Sequence, residues 1–376
     1  MKTIHVGLIG FGYIGKIHTL AYRGIPLCIR QPAVTPHLTA LLRSRLDTDR
    51  AAMTESGYPL YTTSPDEFFA QPLELVEICT PNHLHLEQCR RALEAGLAVY
   101  CEKPLAMNFE QARYLTELAE KAGVITQVAF VLRYLPAIRQ MKAQVEAGEI
   151  GEPFHFRGHM FHGSYLDPDR PMSWRLRASE SGGGVFMDLG AHLVDLAIYF
   201  LGEVKSVRAQ MRTFITERTS NEDAARQETV DVDDWALCSL ELASGAVGDI
   251  EVTRMAAGAS QASGFEIYGS KGALVYRESQ PNTVRYYNLR TGEWIDGPGG
   301  LPAPAGERPL DQIWPTAKYS QGTMTNAHLA AQSDLLLNIA ENKPGLNDFR
   351  SAAKVQQVVD AAYASAKQDS ELYQLV

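Results

Sequence analysis

The sequence is poor in cysteine, in net positive charge and in long apolar runs, and each shortage excludes a class of protein. The five cysteines, Cys28, Cys79, Cys89, Cys101 and Cys238, include no C-x-x-C pair, so neither a disulfide framework nor a zinc site is indicated. The net charge of -9 gives no positive field for nucleic acid or an anionic membrane. The N-terminal apolar segment is too short for a signal peptide, and no later run approaches a membrane span. We therefore expect a cytoplasmic location, no nucleic-acid or membrane partner, and no metal.

The composition is that of an ordinary globular protein. Of the 376 residues, 45% are hydrophobic and 21% are charged, as is typical of globular chains. A chain of this length suggests about two domains. Short apolar strand candidates alternate with helix candidates up to about residue 128, which is typical of an α/β domain with a parallel sheet. A long connection, 24–36, precedes the second strand candidate, and the last strand candidate of this domain is 121–130.

A glycine-rich loop follows the first strand candidate. It reads G-F-G-Y-I-G and consists of Gly10, Phe11, Gly12, Tyr13, Ile14 and Gly15. The glycines allow a tight turn, and they let a pyrophosphate approach the N-terminus of the helix candidate that follows. We therefore predict a dinucleotide site here, and the alternative is a glycine-rich turn without a ligand.

The residues after the second strand candidate bear on the choice between NAD and NADP. An NAD site commonly has an acidic residue there, which binds the adenosine ribose. This sequence has Arg43, Ser44 and Arg45 instead, and two cations with a hydroxyl suit a 2′-phosphate. The prediction is an NAD(P) cofactor with NADP favoured over NAD, unless the arginines are solvated and Asp47 or Asp49 reaches inward.

A second loop follows another buried strand candidate. It carries Thr80, Pro81, Asn82 and His85. Loops at the carboxyl ends of parallel strands face the dinucleotide in an open sheet. We therefore assign these four residues to the cofactor site, with His85 also able to orient the helix after it.

The tripeptide Glu102-Lys103-Pro104 follows the next strand candidate. A lysine at this end of a parallel strand lies near the nicotinamide end of a bound cofactor. It can donate a hydrogen bond to a substrate hydroxyl and stabilise the alkoxide. We assign Glu102 and Lys103 to the cofactor site and Lys103 also to catalysis; the alternative is a salt-bridged surface lysine.

A helix candidate preceded by three glycines carries Asp188, His192 and Asp195 at i, i+4 and i+7. Residues so spaced share one face of a helix. An imidazole titrates near neutrality and a carboxylate can fix its tautomer, so the pair can transfer a proton. Taken alone, the same pattern also fits a polar face that is solvated or internally satisfied. Trp174 and Arg175, shortly before the glycines, either line the pocket or are a packed aromatic beside a solvated arginine.

The second half of the chain changes to strand-like alternation. The first strand candidate is 154–161. The next ones, several of them joined by short turns, are 204–211, 236–242, 246–253, 265–268 and 273–276. This spacing predicts an antiparallel sheet. The helix over 184–201 would cover one face, and a broad apolar second face would favour a homo-oligomer, a dimer or tetramer. The irregular segments 213–231 and 280–321 are interpreted as lids, subunit contacts or disorder.

The combined motifs resemble the glucose–fructose oxidoreductase, inositol dehydrogenase and MocA superfamily over nearly the whole chain. The shared motifs are G-F-G-Y-I-G, C-T-P-N-H-L-H at 79–85, E-K-P at 102–104, R-Y-L-P at 133–136 and G-G-G-V-F-M-D-L-G-A-H at 182–192. The resemblance implies a Rossmann domain, 1–128, and an α+β domain with a large, mostly antiparallel open sheet, 129–376. It also implies that Lys103, Asp188 and His192 form the catalytic group, and that Arg133 lies near the substrate; for Arg133 a structural role is the alternative.

The function expected from these residues is reversible hydride transfer between NAD(P) and a secondary alcohol carbon of a sugar, cyclitol or related polyol. His192 would accept the hydroxyl proton, Lys103 would hold the oxygen, and Asp188 would bind a neighbouring hydroxyl, with Asp195 behind His192. Two alternatives remain. One is an NAD-dependent glycoside hydrolase of the same superfamily, and the other is a dinucleotide-binding sensor without catalysis.

Overall fold

The structure is a computed structural model, and it describes residues 2–259, 262–297 and 301–375. Part of the predicted irregular segment 280–321, residues 298–300, lies outside the described residues. The chain forms two compact units. The first comprises Met1–Ala106, Glu110–Tyr134 and Gly306–Ala353, and the second comprises Met107–Phe109, Leu135–Ala305 and Lys354–Val376.

The described residues form strands that we number in chain order. They are β1 (Lys2–Ile9), β2 (Val34–Leu42), β3 (Leu60–Thr62), β4 (Leu75–Ile78), β5 (Ala98–Cys101), β6 (Thr126–Val128), β7 (Pro153–Phe161), β8 (Val204–Arg212), β9 (Glu217–Thr219), β10 (Gln227–Thr229), β11 (Trp235–Leu242), β12 (Val247–Thr253), β13 (Gly264–Gly269), β14 (Gly272–Arg277), β15 (Val284–Asn288), β16 (Glu293–Asp296) and β17 (Tyr373–Gln374).

The helices are numbered in the same way. They are α1 (Tyr13–Cys28), α2 (Arg50–Thr54), α3 (Pro65–Phe69), α4 (His85–Glu94), α5 (Phe109–Ala122), α6 (Pro136–Glu146), α7 (Ala178–Ser181), α8 (Ala191–Leu201), α9 (Thr323–Glu341) and α10 (Phe349–Lys367). A π-helical turn, Phe186–Gly190, leads directly into α8.

The first unit is built on a parallel sheet with the strand order β3-β2-β1-β4-β5-β6. Strands β4 and β5 are buried along their whole length, as expected where helices cover both faces of a parallel sheet. The order reverses between β1 and β4, and ligands of such sheets bind at the carboxyl ends of the strands beside this point. The predicted parallel α/β fold is confirmed.

Helix α9 belongs to the first unit, although it follows the second in sequence. It packs on α1, because a Cβ placed on Gly24 would lie 2.9 Å from a methyl carbon of Leu329. The predicted division into 1–128 and 129–376 therefore differs from the compact units of the structure. A boundary drawn from the order of strand candidates cannot show that a later helix returns to an earlier sheet.

Several predicted element bounds differ from those of the structure. Helix α1 continues to Cys28 with Pro26 inside it, so the connection to β2 is shorter than the predicted 24–36. The segment 121–130, predicted as one strand, contains the end of α5 and the short strand β6. The predicted irregular segment 213–231 contains the antiparallel pair β9 and β10.

The second unit is built on a sheet with the order β16-β15-β14-β13-β7-β12-β11-β8-β17. Strand β7 pairs in parallel with β12, and the other neighbours run antiparallel. Helix α8 packs on one face, where a Cβ on Gly158 would lie 3.1 Å from Leu193. The large, mostly antiparallel sheet is thus confirmed.

The opposite face of this sheet is more polar than predicted. It carries His155, Arg157 and His159 on β7, with Asp249 and Glu251 on β12, and these side chains line a recess of about 540 Å³. Exposed apolar residues, among them Leu237, are interspersed with them. The prediction of a broad apolar face is wrong, because charged residues take the outward positions of the central strands.

The helical segment Ala178–Leu201 is long and apolar enough to cross a membrane by length and composition, but 78% of its most apolar window is buried inside the structure. The sequence was expected to contain no such run. Its apolar residues face the core of the second unit, which explains the composition without a membrane.

Candidate active site

The loop between β1 and α1 has the shape that a dinucleotide requires. Gly10 has a φ of +93°, and a Cβ there would lie 2.7 Å from the carbonyl oxygen of Cys79. A Cβ on Gly15 would lie 2.2 Å from the carbonyl oxygen of Gly10. Because both contacts are with backbone atoms, only glycine fits at these two positions.

The same loop leaves room for a diphosphate. A Cβ on Gly12 would meet no heavy atom within 4 Å, so the space in front of α1 is open. No acidic residue lies in the first turn of α1, and Gly12 provides no side-chain cap. A helix N-terminus of this kind attracts an anion through its N–H groups and its dipole. The residues present therefore fit a dinucleotide.

Arg43, predicted to bind a 2′-phosphate, is engaged by residues of the loop after β2. Its guanidinium donates to the carbonyl oxygen of Thr48 at 3.0 Å and to the hydroxyl of Thr48 at 2.8 Å. Asp49 lies 3.5 Å from the same guanidinium and accepts from Lys16 at 2.9 Å. Ser44 is exposed. A carboxylate thus stands beside the two cations at this end of β2.

His85 joins the two loops that follow β4 and β5. Its Nδ1 lies 2.8 Å from the carbonyl oxygen of Pro104, and its Nε2 lies 3.0 Å from the carbonyl oxygen of Thr80. The ring is fully buried, and burial lowers the pKa of His85. The ring holds the two loops together, and contact of His85 with the cofactor stays a prediction.

The Thr80 loop itself is ordered by local contacts. Thr80 donates to Gln88 at 2.6 Å, and Asn82 begins a short 3₁₀ turn and is largely buried. Pro81 is partly exposed. Contact of these residues with a cofactor stays a prediction.

Lys103 and Glu102 point in different directions from the carboxyl end of β5. Lys103 is partly exposed, whereas Glu102 is 8% exposed. Glu102 accepts from the backbone N–H of Lys103 at 3.1 Å and pairs with His18 at 2.9 Å. Contact of Glu102 with the cofactor stays a prediction. Arg133 is also buried and donates to the carbonyl oxygen of Leu346 at 3.2 Å, a contact that favours its structural alternative.

In the second unit, Asp233 fixes the start of the helical segment that carries Asp188 and His192. Its two carboxylate oxygens accept from the N–H groups of Gly184 and Phe186, each at 2.8 Å. A Cβ on Gly184 would lie 2.1 Å from the carbonyl oxygen of Asp233. The glycine run is therefore required by this close approach, and the carboxylate satisfies N–H groups that a helix start leaves without intrahelical partners.

Tyr363 supports the same turn. Its hydroxyl donates to Asp233 at 2.7 Å and accepts from the N–H groups of Gly184 and Met187 at 2.9 and 3.2 Å. Burial and the charge of Asp233 raise the pKa of Tyr363, so the phenol remains protonated and able to donate. Neither Asp233 nor Tyr363 was identified from the sequence, because each lies far along the chain from the residues that it contacts.

Asp188 lies in the π-helical turn, and His192 lies in the first turn of α8. Both are partly exposed, whereas Asp195 is buried. Gly190 separates the pair, and a Cβ there would lie 2.5 Å from the ring of Phe186. π-Helical turns inside α-helices are frequent at functional sites. The predicted continuous helix over 184–201 therefore has a wider first turn, at the position of Asp188.

His162, directly after β7, is near Asp188. Burial lowers the pKa of His162, and the charge of Asp188 acts in the opposite direction. The ring is partly exposed, and its Nδ1 lies 2.8 Å from the hydroxyl of Ser164. Sequence analysis missed His162, although its position at the end of a predicted strand was a usable signal.

Trp174 and Arg175 stack on each other. The guanidinium of Arg175 lies 4.2 Å from the ring centre of Trp174, an ordinary cation–π geometry. The next residue, Leu176, is buried in a cluster with Tyr165 and Met172. The segment is therefore anchored, and Trp174 is partly exposed beside it.

The predicted catalytic residues fall in both units. Lys103 belongs to the first, and Asp188 and His192 belong to the second. The first unit thus contains a dinucleotide loop and a lysine at the carboxyl end of the sheet. The second contains an acid and an imidazole on consecutive helical turns.

Comparison with known families agrees with both units. Residues 4–130 match the oxidoreductase family with an NAD-binding Rossmann fold, and residues 138–275 match the GFO/IDH/MocA C-terminal domain. A levoglucosan dehydrogenase of Pseudarthrobacter phenanthrenivorans is 30% identical over 98% of each chain. The protein belongs to the GFO/IDH/MocA oxidoreductase family.

A second relative and a solved structure are also named as dehydrogenases. A myo-inositol 2-dehydrogenase of Thermotoga maritima is 30% identical, over 75% of this chain and 77% of the relative. Among solved structures, levoglucosan dehydrogenase in complex with NADH and levoglucosan has a TM-score of 0.90 and 29% identity, with both chains covered completely. The predicted superfamily, its fold and its class, an NAD(P)-linked oxidoreductase, are confirmed.

Proposed function

We propose that the protein transfers a hydride between NAD(P) and a secondary alcohol carbon of a sugar, cyclitol or related polyol. The observation that carries the proposal is the set Lys103, Asp188 and His192. The lysine ends a strand of the dinucleotide-binding sheet, and the acid and imidazole lie on a helical segment held by Asp233. Relatives named for levoglucosan and inositol oxidation support the substrate class.

The roles of the three side chains follow from their chemistry. When bound, NAD(P) supplies the hydride acceptor or donor. In the oxidative direction, the imidazole of His192 accepts the proton of the substrate hydroxyl. The ammonium of Lys103 donates a hydrogen bond to the same oxygen and stabilises its negative charge. The carboxylate of Asp188 accepts from a neighbouring hydroxyl and fixes the orientation of the sugar ring.

Replacement of Lys103 tests this assignment. Lys103→Met keeps the unbranched apolar stem of the side chain but removes its charge and its donors, so we expect kcat to fall by about 10²-fold or more. The rate is measured as NAD(P)H absorbance on the polyol that the wild type oxidises best. Lys121→Met, at an exposed position of the same unit, is the matched control. Unchanged turnover in Lys103→Met would contradict the proposed role.

The same assay separates the two alternatives. An NAD-dependent glycoside hydrolase would release a free sugar from a glycoside without net reduction of added NAD(P). A sensor would bind the dinucleotide and turn over no substrate. Net, substrate-dependent reduction of NAD(P) supports the dehydrogenase and contradicts both.

We propose NAD as the working cofactor, although Arg43 and Ser44 favoured NADP at the level of sequence. The reason is Asp49, which lies beside Arg43 and Lys16. Its negative charge offsets part of the positive charge of these two cations and would oppose a 2′-phosphate. Structures of levoglucosan dehydrogenase with NADH support the same choice.

We also propose a homo-oligomer that forms through the open face of the second sheet. Exposed apolar residues of this face, such as Leu237 and Val247, are surrounded by charged and polar side chains. A pattern of apolar contacts among polar groups is common in subunit interfaces. His155 and Asp249, paired at 3.0 Å, would then be part of the interface.

A cytoplasmic location is proposed from the cysteines. All five are free thiols and all are buried. Free thiols persist in reducing compartments, and the cytoplasm is such a compartment.

A further inference from the structure

A histidine outside the predicted site lies directly behind Lys103. His18, on the inner side of α1, is 1% exposed. Its Nδ1 contacts a carboxylate oxygen of Glu77, and its Nε2 lies 2.9 Å from a carboxylate oxygen of Glu102. The hydride-transfer function proposed above assigns no role to His18 or Glu77.

With both glutamates ionised, the two contacts require a doubly protonated ring. A neutral imidazole has one N–H donor and one acceptor, so it can satisfy one carboxylate and would direct a lone pair at the other. A doubly protonated ring donates to both. Two carboxylates buried side by side also need a compensating positive charge, because an uncompensated buried charge is costly.

The acidic partners agree with this protonation state. Burial acts to raise the pKa of Glu102, but the hydrogen bond and charge of His18 outweigh it, and the pKa falls to about 2. Burial likewise acts to lower the pKa of His18, whereas the charge of Glu77 and the hydrogen bond with Glu102 act to raise it. Glu77 is further satisfied by the hydroxyl of Tyr22.

The other titratable groups packed around the ring are a thiol and two aromatic rings. Cys79 lies 3.4 Å from Nδ1, and burial raises the pKa of its thiol to about 11. Tyr100 stacks on the ring at 5.3 Å between centres, and His328 of α9 lies at 4.6 Å. Burial raises the pKa of Tyr100. The two glutamates are therefore the negative groups that face His18 near neutral pH.

The link to Lys103 runs through Glu102. One oxygen of Glu102 is held by His18, and the other accepts from the backbone N–H of Lys103 at 3.1 Å. On the other side of Lys103, the carbonyl oxygen of Pro104 is held by His85 at 2.8 Å. The backbone of Lys103 is thus fixed from both sides by buried histidines.

We propose that His18 is a positioning residue of the active site: its imidazolium, held between Glu77 and Glu102, fixes the Glu102–Lys103 peptide and hence the origin of the Lys103 side chain. The proposal rests on the proposed function for its effect on turnover. The charge on His18 is a separate claim about the folded protein, and it can be measured without a substrate.

The first measurement is the protonation of the ring. In protein with ¹⁵N-labelled histidine, the resonances that His18→Gln removes are expected to show a doubly protonated ring at pH 7 and pH 8. A neutral ring at pH 7 would overturn the proposal. So would one equivalent of metal in purified protein, since the ligand atoms of His18, Glu102 and His328 lie within 4.8 Å of one another and a bound cation would displace the ring proton.

The second measurement is the division of the effect between turnover and binding. His18→Gln is expected to lower kcat by on the order of 10²-fold, because a small displacement of a catalytic group has an effect of that size. The Kd for NADH, measured by nicotinamide fluorescence, should change little, because the glycine loop is intact. His37→Gln, at an exposed position in β2 of the same unit, is the matched control.

A second variant keeps the test decisive if His18→Gln does not fold. Glu102→Gln retains one oxygen acceptor for two donors, so one of the two contacts is lost, and kcat is expected to fall by about tenfold. Wild-type kcat in either folded variant would overturn the proposal. If the wild type oxidises no polyol, the proposed function fails, and the ring titration still decides the charge on His18.

Discussion

At the scale of single residues, Arg43 illustrates how a neighbouring carboxylate limits what a cation can bind. Its guanidinium donates to Thr48 and lies beside Asp49. Thr48 provides hydrogen-bond acceptors for the Arg43 guanidinium, and Asp49 provides a negative charge beside it. The guanidinium therefore attracts an external anion less strongly. The type of residue at position 43 favours a phosphate, whereas its partners favour an uncharged ribose.

The charge of Asp49 can be tested directly. We expect the wild type to have a higher kcat/KM with NAD than with NADP. Asp49→Asn frees Lys16 and Arg43, so the ratio should shift toward NADP by about fivefold, the equivalent of one exposed ion pair of about 1 kcal/mol. Asp47→Asn removes an exposed carboxylate that pairs with Arg45 and serves as the control. If the wild type prefers NADP and the Arg43→Ala variant does not, the prediction of NADP from the sequence is correct and the proposal of NAD is wrong.

Other residues show which part of the site could be predicted. Lys103, Asp188 and His192 follow from motif and spacing, and the structure leaves all three partly exposed. Glu102 and His85 belong to the same motifs, yet both are buried. A motif identifies the loop but not the direction of each side chain, since direction depends on partners such as His18 and Pro104.

At the scale of elements, the important feature is the start of the helical segment that holds Asp188 and His192. Three glycines precede it, and Asp233 and Tyr363 bind the N–H groups of its first turn. Asp233 lies two residues before β11, and Tyr363 lies in α10. A carboxylate at this place also interacts favourably with the helix dipole.

Asp233→Ala is therefore expected to affect both stability and turnover. The N–H groups of Gly184 and Phe186 would lose a buried acceptor, at a cost of about 1 to 2 kcal/mol in the free energy of unfolding. The turn that carries Asp188 would lose its anchor, so kcat/KM should fall by about tenfold. Urea unfolding and initial rates measure the two effects. Asp223→Ala, at an exposed position, is the control and should change neither quantity. Wild-type rates in Asp233→Ala would contradict the proposed role of Asp233 as the anchor of this turn.

At the scale of the whole molecule, the pattern of strand candidates predicted both sheets. It did not predict that the chain returns to the first unit after it has formed the second sheet. Leu329 of α9 packs on Gly24 of α1, and this contact assigns α9 to the first unit. Local periodicity reports which face of a helix is buried but not which sheet buries it. The same limit applies to the open face of the second sheet, where outward positions were predicted to be apolar and are largely charged.

The subunit interface is a property of that face. We expect light scattering after size exclusion to give a multiple of 41.5 kDa. Leu237→Arg places a charge among exposed apolar residues of the face, so the assembly should dissociate toward the monomer mass. Leu27→Arg, on an exposed side of α1 in the first unit, should leave the mass unchanged. A monomeric wild type would contradict the proposed interface.

The most direct measurement of the central claim is a spectrophotometric screen of inositols, aldoses and anhydrosugars with NAD and with NADP. The account predicts reduction of NAD that depends on at least one of these polyols, and loss of about 10²-fold or more of that rate in Lys103→Met. No reduction with any polyol, or full activity in Lys103→Met, would contradict it.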